Sequence, residues 1–228
     1  MSRIAVLAAL IMTAMPSDVF AMDEISVVMK NSSEPGESGE LFVFVGEQLS
    51  YELLDLSCDA CLVFDTWHSA RYSVAKWIHG VQPGNELTFS VAEHSSIRFG
   101  HSRYSLVFVE AYDDDLSLVK YQQVPVYPTE DGFASCGPLD RPGDVSKPLN
   151  PEGPELRDIV YSPKLVVDDA RRLSAFGRNR AYDPRWHHID GNDVVCRRGI
   201  PLEALVAAKV RRHEMLRRAL PEFAEAAQ

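Results

Sequence analysis

Cys58-Asp59-Ala60-Cys61 has the Cys-x-x-Cys spacing of a redox dithiol, the first place in the chain where chemistry could reside. Such a pair works when a helix amino terminus lowers the thiol pKa. Here Leu62-Val63-Phe64-Asp65 reads as a strand, and the Asp59 carboxylate would raise a neighbouring thiol. A structural bridge is the simpler expectation for this pair. Zinc is a second possibility, with Cys58 and Cys61 joined by Cys136, Cys196, His187 or His188 in a tetrahedral set. The second half of the usual zinc signature is missing, and in an oxidising compartment disulfides compete with metal. The densest cluster of ligand-type groups is Asp183, His187, His188, Asp190 and Asp193. It could bind a metal, or set a histidine as general base against a carboxylate. Asp183-Pro184 and Asp190-Gly191-Asn192 are equally ordinary turn signals.

His94, Arg98, His101 and Arg103 crowd one stretch between apolar runs, the type of loop that takes ligands at the end of a β-barrel. Arg211 and Arg212 lie on a basic segment near the carboxy terminus, where seven Arg or Lys face two Glu between Arg197 and Arg218. The chain as a whole carries a net charge of −10, so a general nucleic-acid binder is not expected. Docking of the basic segment on the acidic body is the reading preferred over docking on a partner. No nucleophile elbow, phosphate-binding glycine loop, His-Glu-x-x-His or EF-hand loop is present, so neither catalysis nor a cofactor is expected.

The ends of the chain bound where these groups act. Arg3, the apolar stretch Ile4 to Met15, the break at Pro16-Ser17 and Val19-Phe20-Ala21 predict a secretory signal peptide over residues 1–21. About 12 apolar residues are too few for a bilayer that needs ~20, so no stable membrane insertion is expected. A periplasmic or secreted location makes the even cysteine count (Cys58, Cys61, Cys136, Cys196) a disulfide framework, with three pairings open.

The elements that must position these groups are mostly strands. Leu41 to Val45 is a buried-strand signature ended by Gly46, and Leu49 to Leu56 continues it. Arg71 to Ile78 and Glu86 to Val91 alternate, Tyr104 to Val109 is a buried run, and Leu118 to Tyr127 returns after the Asp113-Asp114-Asp115 tip. Met22 to Met29 and Cys61 to Phe64 add two possible strands. Residues 22–136 therefore read as a β-barrel domain and 137–155 as a Pro/Gly-rich linker. Residues 156–228 read as an extension, with a short helix at Val167 to Phe176, an irregular stretch from Gly177 to Asp193, and one amphipathic helix over about 201–220. In that helix Leu202, Leu205, Val206, Val210, Leu216 and Leu220 recur at helical spacing, Pro201 starts it and Pro221 ends it.

Val43-Phe44-Val45-Gly46, the run Arg71 to Gly80, Glu86 to Val91, and Gly100 followed by Tyr104 to Val109 resemble netrin-like (TIMP-type) OB-fold barrels over roughly residues 41–136. Tyr121 to Gly132 also resembles uncharacterised secreted proteins of Gram-negative bacteria. The resemblance implies an extracellular OB-type barrel. Inhibitory TIMP-type proteins chelate a protease zinc through an amino-terminal Cys. The predicted mature terminus here is Met22-Asp23, so inhibition by that route is not expected. The combined expectation is mainly β, an antiparallel OB-like β-barrel with a C-terminal helical extension. It would act as a non-catalytic binding module for an unknown protein or small-molecule partner. Its binding residues would be His94, Arg98, His101, Arg103, Arg211 and Arg212. The alternative is an extracytoplasmic metal-dependent protein or enzyme using the Asp183–Asp193 cluster.

Overall fold

Why should Leu41 to Val45 be apolar at every position, when a half-buried strand alternates? In the computed structural model, which describes residues 39–54, 65–93, 102–112, 115–137, 156–172 and 182–225, this strand is covered on both faces. Phe42 and Phe44 face one side with Tyr72, Leu87, Phe89, Val107 and Val109. Leu41, Val43 and Val45 face the other, with Leu106, Phe108 and the carboxy-terminal helices. A strand buried twice reads as a continuous apolar run.

The main sheet is antiparallel, with β1 (Glu40–Leu53), β2 (Thr66–His79), β3 (Glu86–Glu93), β4 (Tyr104–Tyr112), β5 (Asp115–Thr129) and β6 (Gly132–Ala134). Its order is β3-β2-β1-β4-β5-β6, and β3 also pairs β5 in parallel at Ser90 and Ser117. The Ser90 hydroxyl donates to the Leu116 carbonyl at 3.3 Å across the same contact. Gly46 does not end the first strand as expected. β1 runs through it to Leu53, and a Cβ at Gly46 would sit 2.9 Å from the rings of Phe44 and Tyr72. The glycine is needed for close approach inside a long strand rather than for a turn.

Among the register shifts of the main sheet, one in β1 and one in β5 change which residues face inward near the end of β1. Gln48 pairs Tyr72 and Ser50 pairs Arg71, leaving Leu49 as an extra residue in β1. In β5, Tyr121 takes a φ of 63° beside a second register shift. A bulge of this kind flips the side-chain phase beyond it. Tyr51 thus shares the inner face with Gln48, and Gln123 shares it with Leu118, although both spacings are odd.

Beyond the main sheet, β7 (Arg157–Asp158) pairs β11 (Arg198–Gly199), and β8 (Val166–Asp169), β10 (Asp193–Cys196) and β9 (His187–Asp190) form a three-stranded sheet. The helix expected at Val167 to Phe176 is a strand through Asp169 and then a single 3-10 turn, Ala170–Arg172, as far as it is described. β-branched Val166 and Val167 favour the pairing with β10 that replaces it. The stretch expected to be irregular contains the β9–β10 hairpin. Gly191, with φ 62°, occupies the first central position of its two-residue turn.

The single helix expected over 201–220 is three: α1 (Leu202–Arg212), α2 (Glu214–Ala219) and α3 (Pro221–Glu225). His213 is extended (φ −119°, ψ 116°) and breaks the first from the second. Pro221 opens α3 instead of stopping the chain, as suits a residue that has no N–H to lose in a first turn. The breaks let Leu202, Leu205, Val206, Val210, Leu216 and Leu220 all reach the outer face of the main sheet. Burying each such side chain contributes about 1.5–3 kcal/mol. The tail therefore docks by its apolar stripe. In the Lys76–Glu203 ion pair (3.1 Å) and the His79 Nδ1–Glu222 Oε1 contact (3.2 Å) the tail supplies the carboxylate, opposite to what its basic composition suggests. No helix among the described residues is long and apolar enough to cross a membrane.

Candidate functional site

The inner face changes character along its length. Near the start of β1 it is aromatic, with Phe44 stacked on Trp77 (5.6 Å, 9°) and edge-on to Phe89 (6.5 Å, 79°). Near the end of β1 the same rows continue into polar side chains. His68 precedes Ala70 and Tyr72 on β2, Ser105 precedes Val107 and Val109 on β4, and the two bulges add Tyr51 and Gln123.

Tyr72, Gln48, Gln123 and Ser105 are hydrogen-bonded together. The Tyr72 hydroxyl donates to Gln48 Oε1 at 3.0 Å, and Gln123 Nε2 donates to the Tyr72 oxygen at 2.8 Å and to Ser105 Oγ at 3.2 Å. The His68 ring lies 4.7 Å from that of Tyr51, tilted by 35°. His68 and Gln123 are only 4% and 3% exposed. Yet Tyr51 Oη, His68 Nδ1 and Gln123 Oε1, all buried, have no hydrogen-bond partner among the described residues. Leaving a buried polar atom unsatisfied costs about 1–3 kcal/mol, and native proteins rarely gather several in one place.

The electrostatics favour neutral groups. Burial, reinforced by the Glu93 carboxylate, pushes the Tyr51 phenol far above its ordinary value. Burial likewise pushes Tyr72 up to about 12, although hydrogen bonds from Ser105 and Gln123 work against it. Burial holds the His68 imidazole below 6.5. Phenols that stay protonated and an imidazole that stays neutral can read a ligand through hydrogen bonds.

Arg103 stands at this end of the sheet. Its Nε donates to Glu47 Oε1 at 2.9 Å, and its guanidinium lies 5.2 Å from the centre of the Tyr104 ring. His94, Arg98, His101, Cys58 and Cys61 lie outside the described residues, as does the signal-like segment. Arg211 and Arg212 close α1 toward the other end of β4, where the next residue, His213, senses the Glu110 carboxylate. Glu110 is six residues along β4 from Tyr104, roughly 20 Å at strand rise. The structure therefore does not bring Arg103 and the arginines of the tail together.

A second constellation lies at the disulfide joining Cys136 to Cys196, 60 residues apart. It holds the chain after β6 to β10, and so ties the entry of the helical tail to the main sheet. Ser135 and Ile200 reinforce the joint, the Ser135 amide donating to the Ile200 carbonyl at 3.0 Å and the Ile200 amide to Ser135 Oγ at 3.2 Å. Gly199 passes so close to the Ser135 carbonyl and the Tyr161 hydroxyl that no Cβ fits there. His187 is the register partner of Cys196 and lies with Nε2 3.5 Å from Cys136 Sγ. The five residues read from the sequence do not gather as one ligand set, although the His187 amide donates to the Asp183 carbonyl at 3.0 Å. Asp183 binds Arg185 at 2.5 Å, while Asp190 and Asp193 share Lys164 at 2.7 and 3.4 Å. His188, exposed, points to the opposite face of β9 from half-buried His187.

No family model matches this chain, and comparison with curated proteins and with solved structures found no match. Function must come from the site. Sequence reasoning missed its main residues, Tyr51, His68, Tyr72 and Gln123. The available signal was a histidine two positions before Ala70 and four before Tyr72, in a row that faces the core.

Proposed function

We propose that this protein is an extracytoplasmic, non-catalytic binding module built on an OB-like barrel, and that it takes a small neutral ligand at the polar end of its inner face. The observation that carries the reading is three buried polar atoms, Tyr51 Oη, His68 Nδ1 and Gln123 Oε1, that have no hydrogen-bond partner among the described residues and lie toward one end of an otherwise apolar face. A ligand offering both hydrogen-bond donors and acceptors would satisfy them. Both bulges serve this end of the face, and bulges commonly re-aim side chains next to functional sites.

The barrel reading is supported by the strand order, in which β3 meets β2 on one side and β5 on the other. An OB fold is a five-stranded, partly open barrel that takes ligands at its face and loops. Export is supported by the signal-like residues 1–21 and by the Cys136–Cys196 disulfide, which suits an oxidising compartment. For the alternative site at Asp183–Asp193, the ion pairs with Arg185 and Lys164 already occupy the carboxylates.

Native mass spectrometry of protein isolated gently from its own compartment tests the reading. The wild type is expected to carry an added non-covalent mass that the His68→Leu, Gln123→Leu double variant lacks. Equal masses in the two folded proteins, after subtracting the substitutions, would remove the site from consideration.

A further inference from the structure

We infer that Cys136, Cys196 and His187 form a second, redox-gated site, closed as a disulfide and able to hold a soft divalent cation such as Zn²⁺ once the disulfide is reduced. One ligand atom from each of the three residues lies within 4.8 Å of the others. Around a tetrahedral zinc with Zn–S of about 2.3 Å and Zn–N of about 2.0–2.1 Å, a sulfur and a nitrogen ligand sit roughly 3.5 Å apart. That is already the distance from Cys136 Sγ to His187 Nε2, 3.5 Å. Reduction frees the two sulfurs to separate to the roughly 3.8 Å that two thiolates on one zinc require.

The backbone holds the three residues in place without the disulfide. Cys196 and His187 are cross-strand partners in the β9–β10 hairpin. Cys136 follows Ser135, whose amide and hydroxyl are both bound to Ile200. Reduction therefore leaves the ligands gathered instead of scattering them. Cys136 is half-buried, which gives a reductant and an ion a way in, while Cys196 is enclosed.

The redox step balances with a dithiol as reductant. Its two electrons and two protons convert the disulfide into two thiols, and the dithiol leaves as its own disulfide. Binding of the cation then releases both thiol protons. Two thiolates and one neutral imidazole leave the fourth tetrahedral position to water, so the bound site is electrically neutral.

Cobalt(II), whose visible spectrum separates tetrahedral from octahedral sites, provides the test. The full chain carrying Cys58→Ser and Cys61→Ser would be reduced, freed of reductant without air and titrated. The expected result is one equivalent bound with a tetrahedral spectrum and sulfur-to-metal charge transfer, displaced by zinc. The spectrum should be absent from the oxidised protein and lost on His187→Ala. Circular dichroism of each reduced sample establishes that the sheet persists. An octahedral spectrum, no uptake, an unchanged spectrum in His187→Ala, or a reduced protein that has unfolded would each overturn the site.

Discussion

The two ends of the inner face are built from the same strands and differ in almost everything else. Where β1 begins, Phe42, Phe44, Trp77 and Phe89 fill the space with ring against ring. Where β1 ends, Gln48, Tyr72, Ser105 and Gln123 are hydrogen-bonded together, Tyr51 lies against His68, and Tyr51 Oη, His68 Nδ1 and Gln123 Oε1 have no partner among the described residues. The first arrangement maximises apolar burial. The second keeps polar atoms in a place where carbon would be more stable, and function is the usual reason for such a pattern. On the proposed reading, stability and recognition are separated along one sheet. Substitutions at the two ends should therefore move stability in opposite directions.

The largest effect belongs to the aromatic end. Phe44→Ala removes a fully buried ring packed on Trp77 and Phe89 and is expected to cost about 3–5 kcal/mol in chemical denaturation. A cost below about 1 kcal/mol would mean that the apolar end is not the anchor of the fold. Opening the Cys136–Cys196 bridge by Cys196→Ser should cost about 2–5 kcal/mol, because it frees a long loop in the unfolded chain. Loss of the tail before the sheet, read by hydrogen exchange at α1, would sharpen the contrast between the clamp and the core.

The pH dependence probes the polar end through His68, with His187 and His213 contributing from elsewhere. Burial holds His68, His187 and His213 below 6.5 in the folded protein. As pH falls through 6.5 the unfolded chain takes up protons that the folded chain refuses, so stability drops. The drop ends once the folded imidazoles also titrate, and each histidine contributes at most about 1.4 kcal/mol per pH unit. Melting curves from pH 7.5 to 5 should show this slope, reduced in His68→Leu. A flat profile would mean that these histidines are solvated.

Much of the frame was legible from residue order. The unbroken apolar runs in β1 and β4, the alternation in β2 and β3, and the apolar stripe of the tail each report a local period that burial imposes. The site was not legible, because it depends on where the period fails. Nothing in Ser50-Tyr51 or Tyr121-Gln122-Gln123 marks Leu49 as an extra residue or gives Tyr121 a positive φ. Without those bulges Tyr51 and Gln123 would be assigned to the wrong face. Distance in sequence hides the rest, since Gln123 meets Tyr72 from 51 residues away. The Cys136–Cys196 pairing was one of three until the register of β10 and the Ser135–Ile200 contact selected it. The break at His213 depends on how Leu216 and Leu220 reach a surface made of other strands.

The smallest expected effect is the most direct test of the central claim, that the polar end is kept polar for a ligand and not for the fold. It is the unfolding free energy of Tyr51→Phe measured in ligand-free protein against the wild type. Removing a buried hydroxyl that has no partner among the described residues should leave the protein as stable or more stable, by up to about 1 kcal/mol. A loss of about 1 kcal/mol or more would show that the hydroxyl is already satisfied within the fold, and the polar end would then be structural.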